Sequence, residues 1–393
     1  MNRILMTDTA VRPQSSGDEA APLTRSWHRV NDALHYRRPD RLPRDFLAVP
    51  EIWSRLESRF NARSRAEVLA RLGVDCRVVS YDSFCRHPDE PPDQVDWSGS
   101  LDRSSIGSMF RRREADGSTR DIWGAHRRRV ETAQGAHDEF VSHPLGDAQS
   151  LEDLQGYRWP DPSWWNFDGL RAGIEALNQP ERYHIRFRLG SVFETAWSLY
   201  GFERFLFDLA AAPQLPRYVM ERITEVHLAN LRGALAAAGD RIDLVYFYDD
   251  VAAQTGLLIG PAMYDSHLRP FHQRLIDEAA RHGKPVMLHC CGAVFPLIAR
   301  FIDMGLRVLN PIQPRARGMA PENLVRNFGG RLVFHGGIDI QELLPGGTPA
   351  QVRAEVARVG GLLGERGGYI LAGSHHIQAD TPVENILAMY SVD

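Results

Sequence analysis

The stretch that decides the fold is Lys284-Pro285-Val286-Met287-Leu288-His289-Cys290-Cys291-Gly292. Its apolar run follows a turn and predicts a buried β-strand, which ends abruptly at three potential metal ligands and a glycine. The alternation of a strand places His289 and Cys291 on one face and Cys290 on the other. An imidazole nitrogen and a thiolate suit zinc, and a third protein ligand would leave one position open for a substrate. The competing interpretation is that both residues belong to the buried core, because cysteine behaves as a small hydrophobe.

Strands and helices alternate regularly around this stretch. The strand candidates that each precede a helical pattern are residues 183–189, 244–248, 286–289, 307–311, 332–337 and 368–372. This repetition is typical of parallel βα units. Two earlier strands, predicted at residues 45–49 and 76–81, bring the count close to eight, and we therefore predict a (β/α)8 TIM barrel. A doubly wound open sheet is the alternative, although we find no glycine-rich phosphate-binding fingerprint in the chain.

The domain organisation follows from length and local composition. Residues 7–23 are rich in Ser, Pro, Gly and Ala, a composition that buries too little apolar surface to offset the entropy of ordering. We therefore predict a flexible N-terminal arm over residues 1–25 and one barrel domain over residues 26–393. A barrel needs about 250 residues and accepts insertions. Residues 87–129, rich in Pro, Asp and Arg without a sustained period, are predicted to be such an insertion.

Overall composition excludes several classes of partner. Lys and Arg total 46 against 50 Asp and Glu, a net charge of −4, so there is no basic surplus for nucleic acid. The apolar stretches are shorter than the roughly 20 residues of a membrane-spanning helix, and the first residues become polar too soon for a signal peptide. Four cysteines, two of them adjacent, do not make a disulfide framework. We expect a cytoplasmic protein that acts on a small molecule. Its expected assembly is a homodimer.

Polar side chains collect at the C-terminal ends of the predicted strands. They are Glu194, Asp249, Asp250, His289, Cys291, Asn310, Gln313, Asp339, Gln341, His375 and His376. In a barrel these strand ends meet at one mouth, where the active site lies. The third zinc ligand should come from a neighbouring or facing strand, and we predict His375 for this role. A histidine that only bonds to a loop carbonyl is the alternative.

The carboxylates and amides at these strand ends have two interpretations each. The predicted catalytic residues, as a fourth metal ligand or a substrate base, are Glu194, Asp249 and Asp250. A carboxylate in such a place also often caps a helix or pairs with an arginine. The predicted substrate-binding residues are Asn310, Gln313, Asp339 and Gln341. Hydrogen bonding to loop backbone is the structural alternative for the amides.

Four motifs carry a resemblance to a known family. They are His289-Cys290-Cys291-Gly292, Asn310-Pro311-Ile312-Gln313-Pro314, Gly336-Gly337-Ile338-Asp339-Ile340-Gln341 and Ser374-His375-His376-Ile377-Gln378. With them, the region from Trp27 to Tyr390 resembles the uroporphyrinogen decarboxylase superfamily, and more narrowly its branch of zinc-dependent, cobamide-linked methyltransferases. The resemblance implies the (β/α)8 barrel. It also implies a zinc ion that is held by a His-x-Cys pair and a late cysteine. This zinc would bind a thiol acceptor.

In this sequence the His-x-Cys pair is His289 and Cys291, and the position of the late cysteine is occupied by His375. The resemblance therefore implies zinc as cofactor, in a site whose charge and softness differ from those of the branch. No corrinoid-binding module is recognisable in the chain, so a cobamide would arrive on a separate corrinoid protein or as free cofactor.

Three functions follow from these observations. The first is methyl transfer at a zinc centre, between a small molecule and a corrinoid or thiol. The second is decarboxylation of a porphyrinogen or smaller acid, with Arg186, Arg188 or Arg269 holding carboxylates. The Arg-Gln-Ala-Gly-Arg-Tyr motif of the true decarboxylases is not found, and Asp82 is the nearest counterpart of their catalytic aspartate. The third is a barrel without catalysis that binds a corrinoid or metabolite.

Overall fold

The computed structural model describes residues 25–88, 112–132 and 135–391. The predicted N-terminal arm lies outside the described residues except for Arg25, and so does a large part of the predicted insertion. Within the described ranges, no helix combines the length and apolarity that crossing a membrane requires.

The strands are β1 (Cys76–Ser80), β2 (Arg112–Arg113), β3 (Thr119–Arg120), β4 (His126–Thr132), β5 (Gly135–Ser142), β6 (His184–Arg188), β7 (Leu244–Tyr248), β8 (Ala252–Ala253), β9 (Gly256–Leu257), β10 (Val286–His289), β11 (Val308–Ile312), β12 (Val333–Ile338) and β13 (Tyr369–Gly373). The helices are α1 (Arg25–Leu34), α2 (Pro50–Phe60), α3 (Arg65–Arg71), α4 (Leu151–Gln155), α5 (Leu170–Leu177), α6 (Phe193–Tyr200), α7 (Phe202–Ala211), α8 (Gln214–Ala238), α9 (Pro261–Met263), α10 (Arg269–Arg281), α11 (Ile298–Asp303), α12 (Pro321–Phe328), α13 (Leu343–Gly346), α14 (Pro349–Gly364) and α15 (Val383–Met389). A π-helical turn, Tyr264–Leu268, joins α9 to α10.

The central sheet has seven strands in the order β1-β6-β7-β10-β11-β12-β13, and every neighbouring pair is parallel. Spatial order therefore follows chain order without a reversal. A doubly wound sheet needs a reversal of strand order, at which its ligand crevice opens. The alternative fold is thus wrong for this chain, and the predicted succession of parallel βα units is confirmed.

The residues at the eighth strand position form an irregular segment. Pro43 O accepts a hydrogen bond from Leu371 N at 2.8 Å, and Asp45 N donates to Leu371 O at 2.8 Å, so the segment runs beside β13. On its other side, Arg44 O accepts from Asp75 N at 2.9 Å, immediately before β1. Proline has no N–H to donate, and Pro43 therefore interrupts the ladder. The strand predicted at residues 45–49 is replaced by isolated bridges at Arg44 and Ala48.

The described part of the insertion folds as a sheet of its own. Strands β2, β3, β4 and β5 pair in sequence order, and every pair is antiparallel. The sheet continues to Ser142, beyond the predicted end of the insertion at Arg129. Sequence reasoning missed these strands because β4 carries three consecutive arginines and has no apolar alternation. The guanidinium of Arg127 instead lies 4.5 Å from the ring centre of Phe140 on β5.

Side chains inside the curled sheet change character along the strands. Near the strand N-termini they form an apolar layer of Cys76, Leu244, Met287, Val308, Val333 and Ile370, which packs on Val30, Ala33 and Leu34 of α1. Two residues further along, on the same face, come Arg186, Tyr246, His289, Asn310 and His335. Helix α1 thus closes the apolar end, and the polar groups lie towards the opposite end.

A buried ion-pair cluster ties α1, the irregular segment and β1 together. The Asp75 carboxylate, whose side chain is 0% exposed, accepts from Arg29 at 3.2 Å and from Arg41 at 2.7 Å. It also accepts from the backbone N–H of Arg44 at 2.9 Å. Two arginines and a buried backbone amide therefore depend on one carboxylate.

We predict that Asp75→Asn lowers the free energy of unfolding by about 3 to 5 kcal/mol, because the largely buried Arg41 guanidinium loses its counter-charge and Arg29 keeps only the exposed Asp40. The control is Asp40→Asn, which removes a partner of Arg29 that is 53% exposed, and it should cost less than about 1 kcal/mol. Urea unfolding followed by circular dichroism measures both. Equal losses in the two variants would contradict the role assigned to Asp75.

Candidate metal centre

Three side chains capable of binding a metal converge at the C-terminal ends of β10 and β13. One ligand atom each of His289, Cys291 and His375 lies within 4.8 Å of the other two. The Sγ of Cys291 is 3.2 Å from Nε2 of His289, and the rings of His289 and His375 are 5.5 Å apart. Cys290, on the opposite face of the strand, is fully buried in the main core. The structure therefore brings together the three residues that the sequence predicted as ligands.

The ring of His289 is held by a buried chain of hydrogen bonds. Its Nδ1 lies 2.6 Å from Oδ1 of Asn310, and Nδ2 of Asn310 lies 2.5 Å from Nδ1 of His335. The Nε2 of His335 is 2.8 Å from Oδ2 of Asp45. An amide nitrogen can only donate, so Nδ1 of His335 accepts and its Nε2 donates to the carboxylate. At the other end of the chain, Nδ1 of His289 donates to the amide oxygen, which leaves the lone pair of Nε2 facing Cys291.

The chain ends on a buried ion pair. Arg186 donates to the Asp45 carboxylate and, at 2.8 Å, to Sγ of Cys76. Burial would raise the pKa of Asp45, but the Arg186 guanidinium and the His335 imidazole hold that pKa well below its usual range. Burial also lowers the pKa of His335, which favours the neutral ring that the hydrogen bonds require. Asp45 thus stays ionised and orients the whole chain.

The loop after β10 is held by side chains from neighbouring strands. Cys291 N donates to Asp250 Oδ1 at 2.7 Å, and Gly292 N donates to Gln313 Oε1 at 2.8 Å. Gly292 has φ +86°, and a Cβ there would lie 2.6 Å from the carbonyl oxygen of Ala253. Only glycine fits this turn. The chain direction that follows Cys291 is therefore strictly determined.

The three predicted catalytic carboxylates occupy different environments. Asp250 accepts from Cys291 N, and its Oδ1 is 3.9 Å from Nε2 of His289. Glu194 accepts from Asp250 N at 2.9 Å, and burial together with Asp250 raises its pKa well above the usual range. Asp249 is fully buried and accepts from Val192 N, Glu194 N and Nε2 of His272. Its oxygens thus cap the start of α6, and the structure does not bring them to the three ligands.

The predicted substrate-binding residues also separate into two groups. Asn310 and Gln313 touch the centre, but through His289 and the backbone of Gly292. Asp339 accepts from the backbone N–H groups of residues 341, 342 and 343, which makes it the cap of the turn after β12. Gln341 is exposed on that turn. The Asp339 carboxylate is thus used by its own turn, and within the described ranges neither Asp339 nor Gln341 forms a side-chain hydrogen bond or ion pair with the three ligands.

A cavity of about 110 Å³ lies at the C-terminal ends of β1, β6 and β7. Its walls come from the strand ends of the central sheet and from the insertion. The lining residues are Ser80, Tyr81, Asp82, Asp121, Ile122, Trp123, Ala125, Arg127, Arg188, Leu189, Ser191, Glu194, Thr195, Ser198 and Tyr248. Glu194 connects this cavity to Asp250, and Asp250 in turn contacts Cys291. Glu194 and Asp250 thus link the cavity wall to the backbone of Cys291.

Sequence reasoning missed Asp45 and His335. The two are far apart in the chain, and neither forms a recognisable motif with its neighbours. His335 had one available signal, since it lies inside an apolar strand, where a histidine needs a polar partner. The sequence also could not show that Trp123 of the insertion lines the cavity. Arg186 and Arg269, predicted as carboxylate-binding candidates, are paired within the protein, with Asp45 and Asp265.

The donor set fits a zinc ion. Burial lowers the pKa of His375 to about 4, with His289 adding to the effect, so the ring is neutral and available to a metal near pH 7. Burial and the Asp250 carboxylate raise the pKa of the Cys291 thiol. Two imidazoles and one cysteine sulfur, with ligand atoms within 4.8 Å of one another, are nitrogen and sulfur donors of the kind zinc binds, and three protein ligands would leave a fourth position open.

Comparison with known proteins assigns the family. Residues 141–392, more than half of the chain, match the family described as Uroporphyrinogen decarboxylase (URO-D). The chain belongs to the uroporphyrinogen decarboxylase family. This family member is similar to a solved methyltransferase from Methanosarcina mazei, with a TM-score of 0.62 and 16% identity over 93% of this chain and 96% of that one. At that identity the likeness shows the fold alone. No curated protein matches the chain.

These findings confirm the resemblance drawn from the motifs. Residues 141–392, which match the URO-D family, include all three convergent ligands as well as Asn310 and His335. Asp45, Asp82 and much of the antiparallel sheet precede this region. The hydrogen-bond chain behind His289 therefore begins in the matched region and ends on a residue outside it.

The pKa of His375 gives a pH dependence. In metal-free protein the folded state resists protonation of this ring down to about pH 4, whereas the unfolded chain binds the proton near the usual value of 6.5. We therefore predict that stability falls as the pH drops from about 6.5 towards 4, and that His375→Gln weakens this fall. Urea unfolding of chelator-treated protein at pH 7 and pH 5 measures it. The control is His35→Gln, at an exposed histidine; if His375→Gln changed the pH dependence no more than this control, the prediction would be wrong.

Proposed function

We propose that this protein is a zinc-dependent methyltransferase that moves a methyl group between a small molecule and a corrinoid or thiol. The observation that carries the proposal is the convergence of His289, Cys291 and His375, with the ring of His289 already oriented by Asn310. A structural role alone would not require a thiol and two imidazoles within 4.8 Å of one another at the mouth of the sheet. The family membership and the shared fold support the same class.

Each ligand has a defined part in this proposal. Nε2 of His289, Sγ of Cys291 and one ring nitrogen of His375 would hold the ion. When bound, zinc would act as a Lewis acid on a heteroatom of the substrate or acceptor. His375 replaces a thiolate of the family pattern with a neutral ring, so the centre carries one more positive charge. Asp250, 3.9 Å from Nε2 of His289, is our candidate for the fourth ligand or for a base.

Proton movement is assigned to two of the three predicted carboxylates. Glu194 has a raised pKa and lines the cavity, so near neutral pH it can hold a proton and donate it to a leaving group. Asp250 lies between Glu194 and Cys291 and can accept a proton from an incoming thiol or hydroxyl. We propose a positioning role for Asp249, because the α6 backbone and His272 already use its oxygens.

The proposal includes four further features. The segment at residues 43–49 completes a closed (β/α)8 barrel by its bonds to β13 and to Asp75. A cobamide, if used, is carried by a separate corrinoid protein, since the fold already places the described residues in one barrel and its insertion. The protein acts in the cytoplasm, with a homodimer as the expected assembly.

A decarboxylase is the second candidate, and one observation favours it. Asp82 follows β1 directly and lines the same cavity as Arg188, so a carboxylic acid bound to the arginine would meet an aspartate there. This enzyme would work without metal. Incubation with methylcobalamin and a panel of thiols, beside an incubation with uroporphyrinogen, separates the two classes. Methyl transfer that a chelator abolishes supports the first, and decarboxylation that survives the chelator supports the second.

We predict about one zinc per chain in protein purified without chelator. Cys291→Ser combined with His375→Ala removes two of the three ligands, so the double variant should retain little or no zinc. Elemental analysis by mass spectrometry measures both proteins. Wild-type protein without zinc, or a folded double variant with full occupancy, would overturn the proposed centre.

We also predict that Asn310→Ala weakens zinc binding by roughly 10- to 100-fold, because His289 loses the partner that fixes its tautomer. Competition with a chromophoric chelator measures the affinity. Asn385→Ala is a matched control. Asn385 is also buried and donates to Leu344 O and Gly347 O at 2.8 Å, away from the centre. Both variants should lose stability, and only Asn310→Ala should lose affinity. The hydrogen-bond chain would have no such role if the two affinities were equal.

A further inference from the structure

Two arginines on the same face of β6 differ in whether a carboxylate balances their charge. Arg186 is 1% exposed and its charge is balanced by Asp45. Arg188 lies two residues further along, is half-buried, and lines the cavity. Its Nε donates to Ser80 Oγ at 3.1 Å, and it forms no ion pair with any residue of the described ranges. A guanidinium that is partly removed from water without a counter-ion favours the binding of an anion.

The surroundings of Arg188 define the shape of that anion. Tyr81, Ile122 and Trp123 form an apolar wall of the same cavity, and each is less than 8% exposed. The cavity of about 110 Å³ is smaller than the roughly 300 to 1,000 Å³ of sites for drug-sized ligands. The space thus suits a small molecule with an apolar body and one charged end.

The arginine also lies close to the candidate metal centre. In the sheet, Arg188 is paired in register with Tyr246, and Tyr248 is paired with His289. The ring centre of Tyr246 lies 6.4 Å from that of His289. Arg188 and His289 are therefore both neighbours of Tyr246.

We propose that Arg188 binds an anionic group, a carboxylate or sulfonate, of the small-molecule substrate, whose apolar body packs on Trp123 and Tyr81. This inference rests on the proposed function, because only an enzyme has a substrate, but the binding of the anion itself does not require zinc. Arg188 is thus a specificity residue. The other arginine of the cavity, Arg127, is already paired with Asp121 at 2.6 Å. In the same cavity wall, Glu194 accepts a hydrogen bond from Asp250 N.

The test uses benzoate, benzenesulfonate and the neutral benzamide as probes, on the full chain at low salt. Dissociation constants come from ligand-observed NMR titrations of both zinc-loaded and chelator-treated protein. Wild-type protein should bind at least one of the two anions about 10- to 100-fold more tightly than benzamide, in both metal states. Arg188→Met should remove this preference and leave benzamide binding unchanged, and Arg188→Lys should retain part of it.

Two controls separate this proposal from the proposed function. Arg171→Met removes a surface arginine that pairs with Asp240, and it should leave the preference for anions intact. Zinc content should be the same in wild-type protein and in Arg188→Met. Binding of the anions that depends on Arg188 in a protein without zinc would sustain this inference while the proposed function fails.

Three results would overturn the inference. The first is that wild-type protein binds neither anion more tightly than benzamide. The second is that Arg188→Met keeps the same preference for anions as wild-type protein. The third is that the preference disappears when the zinc is removed, which would mean that the metal binds the anion. Circular dichroism verifies the fold of each variant. If Arg188→Met does not fold, Arg188→Gln replaces it with the same expected result.

Discussion

The centre depends on one buried interaction, the ion pair of Asp45 with Arg186. An ionised carboxylate inside the curled sheet is tolerated only because the guanidinium and His335 both bond to it. That carboxylate determines which nitrogen of His335 carries the proton. The tautomer of His335 then determines the orientation of the Asn310 amide, and this amide determines which nitrogen of His289 keeps a free lone pair. A change at Asp45 would therefore reach His289 through three hydrogen bonds, without touching any candidate ligand.

The interior of the sheet explains why the reactive groups lie where they do. Apolar side chains and α1 fill most of one end of the sheet. The polar layer begins where Arg186, Asn310 and His335 face one another, and the candidate ligands follow at the strand ends. The insertion then adds a wall with Trp123 and Arg127 beside the cavity. The apolar core and the candidate metal ligands thus lie in successive layers along the same strands.

Particular residues show the limits of prediction from sequence. Alternation along a strand was enough to place His289 with Cys291, since it depends only on local geometry. It could not distinguish Asp249 from Asp250: the two are adjacent, yet one caps α6 and the other contacts Cys291 N. Residues 87–129 were predicted as an insertion without a sustained period. The strands within residues 112–142 were missed because they pair with each other through backbone bonds, which arginine-rich side chains do not indicate.

The sequence by itself determined the parallel βα architecture, the family and the residues that converge at the mouth, because periodicity and short motifs are local properties. Only the tertiary structure decided that Asp45 supports His289, that Arg186 is paired whereas Arg188 forms no ion pair with another described residue, and that the insertion lines the cavity. These facts depend on contacts between residues up to 290 positions apart, as between Asp45 and His335. Such contacts leave no pattern in a single chain, since either partner alone resembles an ordinary buried or surface residue.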